Sequence, residues 1–428
     1  MLKRLIIIFT GAILLAGGWG FTVLMNTENG WLRDPLVKTD DAKAFGDAAV
    51  NLIEQRRAGN VAFMLLENGK PVTQHYASKG ATVDGDTLFQ VASLSKWVTA
   101  WGVMHLVDEG KLDLDTPVSS YLTRWQLPPS EFDNNGVTVR RLLSHTAGLT
   151  DGLGYGGFEP GAPVQSLTDS LSRAADASPG KDGAVRVGME PGSDWKYSGG
   201  GYSLLQLLIE EVSGQSFNDF MKERVFSPLG MMRSTFIIDG DNTGNVATIY
   251  GPEGEKAIHY SFTALAAASL YTTANDMAMF LKAQRPGPAG ERIGRDVLAP
   301  ETVAMMYEPH ASSLGLDIWG LGTMLYAAKS DGQYIIGHDG SNEPAINTTA
   351  RLDPATGDGI ILLETGNKIL ASNVAGEWVF WKTGKVDFID QTMAAGDMIK
   401  SLLVGWLVIL IATIWLIIRA RRKRKQQL

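Results

Sequence analysis

The chain has 428 residues, of which 45% are apolar and 20% charged. That balance is globular and excludes a mainly disordered chain, a collagen or a small disulfide scaffold. There is no cysteine, which excludes disulfides, thiolate metal sites, iron–sulfur clusters, a cysteine nucleophile and a lipoprotein anchor. At roughly 100–200 residues per domain, the length allows two to four domains, or one large catalytic domain with additions. The net charge of −8 is uneven. Eight of the 38 basic residues lie at the ends (Lys3, Arg4, Arg419, Arg421, Arg422, Lys423, Arg424 and Lys425), so residues 5–418 carry 30 basic groups against 46 acidic ones. Such an acidic body disfavours nucleic acid as a partner.

In chain order, the first element is an uncharged stretch of 21 residues, Leu5 to Met25, directly behind Lys3 and Arg4. It is long enough to cross a hydrocarbon core of ~30 Å. Residues 1–25 therefore read as a transmembrane anchor or a signal segment. A cleavage point near Ala16-Gly17-Gly18 is the competing reading, weakened by the segment's length and the want of a clean small-x-small site. A linker follows over 26–44. Residues 61–66 (VAFMLL) are an apolar run, followed by Asn68-Gly69 and a mixed run at 71–77. Asn-Gly between two such runs predicts a β-hairpin. Helical patterns cover Lys96–Glu109, Leu204–Val212 and Ala274–Lys282, and residues 151–163 form a Gly/Pro loop. Strand-like runs return at Tyr334–Gly337, Ile346–Leu352 and Gly359–Leu363. The economical architecture is one sheet built from both ends of the body, with a helical region inserted between. A linker at 386–400 leads to a second uncharged stretch, Ser401 to Ile418, 18 residues long. It is followed by a basic tail, 419–428. Basic residues beside a span tend to stay cytoplasmic, so both ends are expected on one side of a cell membrane, a bacterial inner membrane, and the body on the other.

Several chemistries are disfavoured by missing motifs. There is no G-x-S-x-G elbow, no Walker A loop and no H-E-x-x-H. Gly152-x-Gly154-x-x-Gly157 matches a dinucleotide fingerprint but has no helix pattern behind it. The six histidines show no metal spacing, and no metal or cofactor is expected. Ser-x-x-Lys occurs three times, at Ser93/Lys96, Ser178/Lys181 and Ser193/Lys196, where about one match is expected by chance. Ser178 and Ser193 sit beside Pro-Gly turns. Only Ser93 opens a helical run, with apolar residues at 97, 98, 101, 104 and 107. At i and i+3 the two side chains share a helix face. A lysine held there in a dry site can act as base for the serine. An N-cap serine beside a solvated lysine is the plain alternative.

The surrounding segments favour the chemistry. "TLFQVASLSKWVTAWGVMHLVDEGKLDLDTPVSSYL", "VTVRRLLSHTAGL", "EPGSDWKYSGGGYSLLQLLIEEVSGQSF", "VFSPLGMMRSTF", "AASLYTTANDMAMF" and "GHDGSNEP" resemble, in order, the motifs of the serine β-lactamases, penicillin-binding proteins and related esterases. The likeness is nearest to the class C β-lactamase and esterase branch and covers about residues 45–385. It implies an α/β (α+β) fold, an antiparallel sheet flanked by helices with a helical subdomain. It also implies Ser93 as acylated nucleophile, Lys96 as its partner and Tyr197 as a second base. The third position of the Tyr-x-Asn element is Gly199, so the amide that commonly contacts substrate is missing. The final Lys-Thr-Gly motif appears as His338-Asp339-Gly340. The oxyanion hole implied is the backbone N–H of Ser93 and of Ser341. Gly199, His338, Asp339 and Gly340 are then expected to line the substrate site. A literal Lys382-Thr383-Gly384 lies past the sheet, at the end of a helix-like stretch (371–381), and reads as a helix stop. His145 is expected to tie a loop down, and Tyr202 to be wall or core. The function expected is a membrane-anchored serine hydrolase acting on small or peptide-like esters or amides. Neutral substrates are favoured, because Asp339 would repel an acid. A β-lactamase or DD-carboxypeptidase and a catalytically silent sensor on the same fold are the alternatives.

Overall fold

A computed structural model of the chain describes residues 2–150, 156–238 and 244–425. Gly152 and Gly154 of the dinucleotide-like match lie outside the described residues. The chain divides into two compact units, Thr39–Ala375 and a second formed by Met1–Lys38 with Gly376–Leu428.

The larger unit is built on an eight-stranded antiparallel sheet. Its strands are β1 (Val61–Glu67), β2 (Lys70–Ala77), β3 (Ala311–Ser313), β4 (Leu316–Trp319), β5 (Met324–Ala328), β6 (Tyr334–Asn342), β7 (Ile346–Leu352) and β8 (Gly359–Thr365). The spatial order is β2-β1-β8-β7-β6-β5-β4-β3. The pairing of Val61 with Glu364 and Leu65 with Ile360 joins the N-terminal hairpin to the last strand. The sheet thus draws on both ends of the body, as the sequence predicts. The first hairpin turns on Asn68 and Gly69, both at positive φ (52° and 73°), the two-residue geometry that Asn-Gly favours. β1 is buried on both faces through Leu66, which explains its unbroken apolar run. The short strands β3 to β5 were not foreseen. They hold three to five residues each, too few for an alternation to register.

Two helices precede the sheet: α1 is Leu2–Asn29 and α2 is Ala42–Arg56, the latter capped by the Asp41 carboxylate on the Lys43 and Ala44 N–H groups. The region inserted between β2 and β3 supplies the helices that carry the site. α3, Ser95–Asp108, buries eleven of its fourteen residues. It is apolar nearly all round rather than on one stripe, as a helix through the middle of a core must be. Trp97 and Trp101 both meet Phe280, at 5.0 and 5.1 Å between ring centroids, on α5 (Ala274–Ala283). α4, Gly199–Ser213, begins at the Ser198 cap and stops at Gly214 in the left-handed conformation.

In the smaller unit, α6 (Leu370–Thr383) enters and ends. The following Gly384 has φ 68°, and its N–H bonds Phe380 O at 2.8 Å. Lys382-Thr383-Gly384 is therefore a helix terminus. α7 runs unbroken from Phe388 to Lys425. The expected linker at 386–400 is thus helical for most of its length, because Phe388–Lys400 has no Pro and meets no stop before the apolar stretch. Likewise α1 continues to Asn29, four residues into the expected first linker. α1 and α7 are both long and apolar enough to cross a membrane, over Lys3–Asn29 and Phe388–Arg422.

Candidate active site

The site is assembled where three segments meet. The first is a 3-10 turn, Ala92–Leu94, that feeds α3. Ala92 has φ 48°, an uncommon conformation for a residue with a Cβ. Three hydrogen bonds over-determine it. Val91 N–H bonds Leu270 O at 2.9 Å, and Ser95 Oγ both donates to Ala92 O at 2.5 Å and accepts from Leu270 N–H at 2.9 Å. Strain held in this way is a mark of functional turns. It presents Ser93, partly exposed, just ahead of the α3 N-terminus, whose dipole favours developing negative charge.

Lys96, one turn on, is fully buried. Its Nζ donates to Ser93 Oγ at 3.2 Å and to Ala267 O at 2.7 Å. It also lies 4.9 Å from the ring centroid of Tyr197 and 5.6 Å from that of Tyr202. The structure thus brings Ser93, Lys96 and Tyr197 together. The other two Ser-x-x-Lys pairs are elsewhere: Ser178 is exposed in a turn, and Ser193, also exposed, spends its hydroxyl on Glu190 O at 2.7 Å.

The second segment carries Tyr197, immediately before α4. His145 fixes it from below. Its main-chain carbonyl accepts Lys196 N–H at 2.8 Å and its Nδ1 accepts Ser198 N–H at 3.1 Å, so the residues on both sides of Tyr197 hang from one residue. The His145 ring lies 4.4 Å from that of Tyr197. Because Nδ1 accepts, the proton of the neutral ring sits on Nε2. Burial, with Lys96 and His338 as further causes, pushes the His145 pKa well below its ordinary value. The expectation that His145 ties a loop down understated this: the loop is the one bearing Tyr197. Gly199 is the first residue of α4 and buried; with only hydrogen beyond its Cα it brings no amide to the site. Tyr202 is core, as expected, its hydroxyl pushed well above its ordinary pKa by burial and by Tyr197.

The third segment is β6. A Cβ on Gly340 would collide with Val91 O and Thr348 Oγ1 and lie 3.1 Å from Leu94 N. Only glycine lets the strand lie against the Ser93 turn. Ser341 follows directly, so its backbone is carried to the same turn. The two residues before Gly340 depart from what was expected. His338 is on the site side, its ring 5.4 Å from that of Trp319, but is 1% exposed and has no surface to offer a substrate. Its Nδ1 donates to Asp339 O at 2.6 Å. Burial, and then Lys96, push its pKa down to about 3, so it is a neutral floor beneath Ser93 and Lys96. Asp339 points to the opposite face of the sheet, because adjacent strand residues alternate. There it accepts from Arg351 Nη2 at 2.8 Å, Tyr326 OH at 2.7 Å and Thr349 Oγ1 at 2.5 Å. Although burial alone raises it, Arg351 and the two hydroxyls hold its carboxyl below the usual range. Asp339 therefore does not line the cleft, and its repulsion of acidic substrates is withdrawn.

Two contributors were not foreseen. Trp319 packs against His145 (4.8 Å), Tyr197 (5.7 Å), Trp195 (5.7 Å) and His338. The carbonyl of Ala267 receives Lys96. A main-chain acceptor leaves no trace in residue type, and Trp319 sits in a four-residue strand without a pattern.

A turn presenting serine above a buried lysine and a tyrosine, closed by a glycine of the neighbouring strand, is the arrangement of a serine hydrolase. The Beta-lactamase family model matches residues 45–378, and the chain belongs to that family of serine hydrolases. It is 30% identical over 304 residues to Penicillin-binding protein 4 of Amycolatopsis lactamdurans, covering 67% of this chain and 74% of that one. It is 31% identical over 168 residues to Esterase EstB of Burkholderia gladioli, covering 37% and 41%. The solved structure of SurE superposes with a TM-score of 0.63 at 27% identity, covering 79% of this chain and 74% of that one.

Proposed function

We propose that the protein is a membrane-anchored hydrolase that forms an acyl-enzyme on Ser93 and turns over esters or amides, neutral ones in preference to carboxylate-bearing ones. The observation that carries this reading is the 3.2 Å contact between Lys96 Nζ and Ser93 Oγ. Lys96, with Tyr197 beside it, takes the serine proton as Oγ attacks the carbonyl. The same pair returns it to the leaving alcohol or amine, and water repeats the sequence on the acyl-enzyme. The N–H groups of Ser93 and Ser341 receive the oxyanion; one such donor is typically worth about 3 kcal/mol in the transition state.

The preference for neutral substrates rests on His338. Where a lysine would supply a fixed charge for a carboxylate, this chain has a buried imidazole whose pKa is about 3. Gly199 likewise brings no side-chain donor. The likeness to Penicillin-binding protein 4 favours a second reading, β-lactam or D-alanyl peptide as substrate. A panel of kcat/KM values decides: a neutral acyl ester and amide, their carboxylate-bearing counterparts, and penicillin. Faster turnover of the neutral pair supports the first reading, and efficient penicillin hydrolysis supports the second.

The anchors are α1 and α7. Their basic ends support a topology with both termini in the cytoplasm and the hydrolase on the periplasmic or extracellular side of a bacterial inner membrane. A reporter fused at Leu428 is expected to be active only in the cytoplasm, and protease added from outside to cut near Asp182. A C-terminus outside the cytoplasm contradicts this topology.

A further inference from the structure

α1 carries the sequence Trp19-Gly20, and α7 carries the mirrored Gly405-Trp406. The two helices use these dipeptides on each other. Trp19 Nε1 donates to Ser401 O at 3.0 Å, and Trp406 Nε1 donates to Ala16 O at 3.1 Å. Each accepting carbonyl lies one helical turn from the glycine of its own helix, since Ser401 precedes Gly405 by four residues and Ala16 precedes Gly20 by four. Gly405 makes room for Trp19, since a Cβ there would collide with its Nε1; Gly20 faces Trp406, where a Cβ would rest in ordinary contact 3.7 Å from Cζ2. Among apolar helices, small residues at the contact and polar groups that cross it are what holds a pair together. An indole N–H left without an acceptor in hydrocarbon is unfavourable.

The register agrees with the charges. Counting from the Ala16–Trp406 contact, Arg4 is twelve residues along α1 and Arg419 thirteen along α7. At about 1.5 Å per residue the two basic ends are level. At the other end Arg33 is tied to Glu377 at 2.8 Å and Asp390 at 3.0 Å, and Val386 N–H bonds Glu28 O at 3.0 Å. Outside the clasp, α1 and α7 expose large apolar side chains, Ile7, Ile13 and Leu14 on one, Val404, Leu407 and Ile411 on the other.

We infer that α1 is the resident partner of α7 in the mature protein, a reciprocal Trp–Gly clasp joining the two as a transmembrane hairpin. The inference rests on the membrane reading above. A signal-type cut near Ala16-Gly17-Gly18 would sever α1 at the carbonyl that receives Trp406 and remove Trp19's supporting turn.

The test uses the full chain with a protease site inserted between Lys38 and Thr39, extracted from membranes in mild detergent. Intact mass before cutting is expected to include α1. After cutting, the N-terminal fragment is expected to co-purify with the remainder. Gly405→Leu, which fills the seat of Trp19, and Trp19→Ala are expected to release roughly tenfold more of the fragment. A mature chain that begins beyond residue 16 overturns the inference. So does a fragment lost from the unmodified helices as readily as from Gly405→Leu. Recovery of the uncut chain in the soluble fraction would instead remove the membrane reading itself, and the hairpin with it.

Discussion

Arg351, fully buried, grips Asp339 through two nitrogens, Nη2 to Oδ2 at 2.8 Å and Nε to Oδ1 at 3.2 Å. The pair sits behind β6, with Tyr326 stacked 3.8 Å from the guanidinium. It makes the middle residue of His338-Asp339-Gly340 a structural anchor. Removing one member of a buried pair leaves the other's charge stranded, at a typical cost of ~3–5 kcal/mol. Asp339→Asn is therefore expected to lower stability by about 3 kcal/mol. It should leave the ratio of kcat/KM for neutral and anionic substrates within about twofold, well short of the tenfold that 1.4 kcal/mol would give. The carboxyl is held below its unfolded pKa, so its contribution is present above that value and is lost as pH falls through the folded one. Chemical denaturation at pH 7 and the two-substrate comparison check both parts. A shift of the ratio with unchanged stability would return Asp339 to the cleft.

The bonds from His145 to Lys196 and Ser198 predict a split between binding and chemistry. His145→Ala removes the acceptor for Ser198 N–H and loosens Tyr197. It is expected to lower kcat by ~10–100-fold, part of the scale of general-base loss, with KM little changed. His145 has φ 59°, a conformation asparagine tolerates, and an asparagine oxygen can accept in place of Nδ1. His145→Asn should therefore recover more activity than His145→Ala. Equal loss in both, or a rise in KM alone, contradicts the positioning role.

Two neutral histidines make the fold sensitive to acid. His145 and His338 are both held below their ordinary pKa by burial. The unfolded chain takes up their protons near pH 6.5 while the folded chain does not. Their contribution to stability is thus complete above pH 6.5 and declines as pH falls, for His338 by about 1.4 kcal/mol per unit. Between pH 7.5 and 5, His338→Asn is expected to lose less stability than the unmodified protein. Parallel curves would mean that His338 titrates normally.

Glu364 at the end of β8 works in the other direction. It is fully buried, and neither oxygen makes a hydrogen bond among the described residues. Burial pushes its pKa up to about 9, against an opposing pull from the Asn367 N–H. A raised carboxyl stabilises below its unfolded value and loses that contribution as pH climbs towards the folded one. Glu364→Gln is then expected to stabilise the protein at pH 8 by an amount on the order of a few kcal/mol, and hardly at pH 4. Thermal melts at the two pH values measure the difference, and an equal effect at both would rule out this ionisation.

Much of this was legible because the signals were local. Asn68-Gly69 between apolar runs gave the hairpin, since two residues can close it in few ways. Ser93, Lys96, Tyr197 and Gly340 were marked by spacing and segment likeness, and the chain brings them to one place. Facing was not legible. A motif gives the order of His338 and Asp339 along a strand, but which one meets the helices depends on β5 and β7 pairing beside it. Glu364 follows the apolar stretch of GIILLET, where a charged residue reads as a strand's solvated end. Only the packing on both faces shows it to be buried. The helical start of α7 was masked by Gly396 and the charged residues around it, which read as linker until the continuous helix is seen.

The central claim is that Ser93 is the acylated residue. Reaction of the purified protein with a fluorophosphonate, followed by peptide mapping, tests it most directly. The adduct is expected on the peptide containing Ser93 and to vanish in Ser93→Ala, while Ser178→Ala and Ser193→Ala label normally. Lys96→Ala and Tyr197→Phe should each slow labelling by roughly 100-fold or more. Labelling of Ser93→Ala at the unmodified rate, or an adduct mapped to Ser178 or Ser193, would contradict the account.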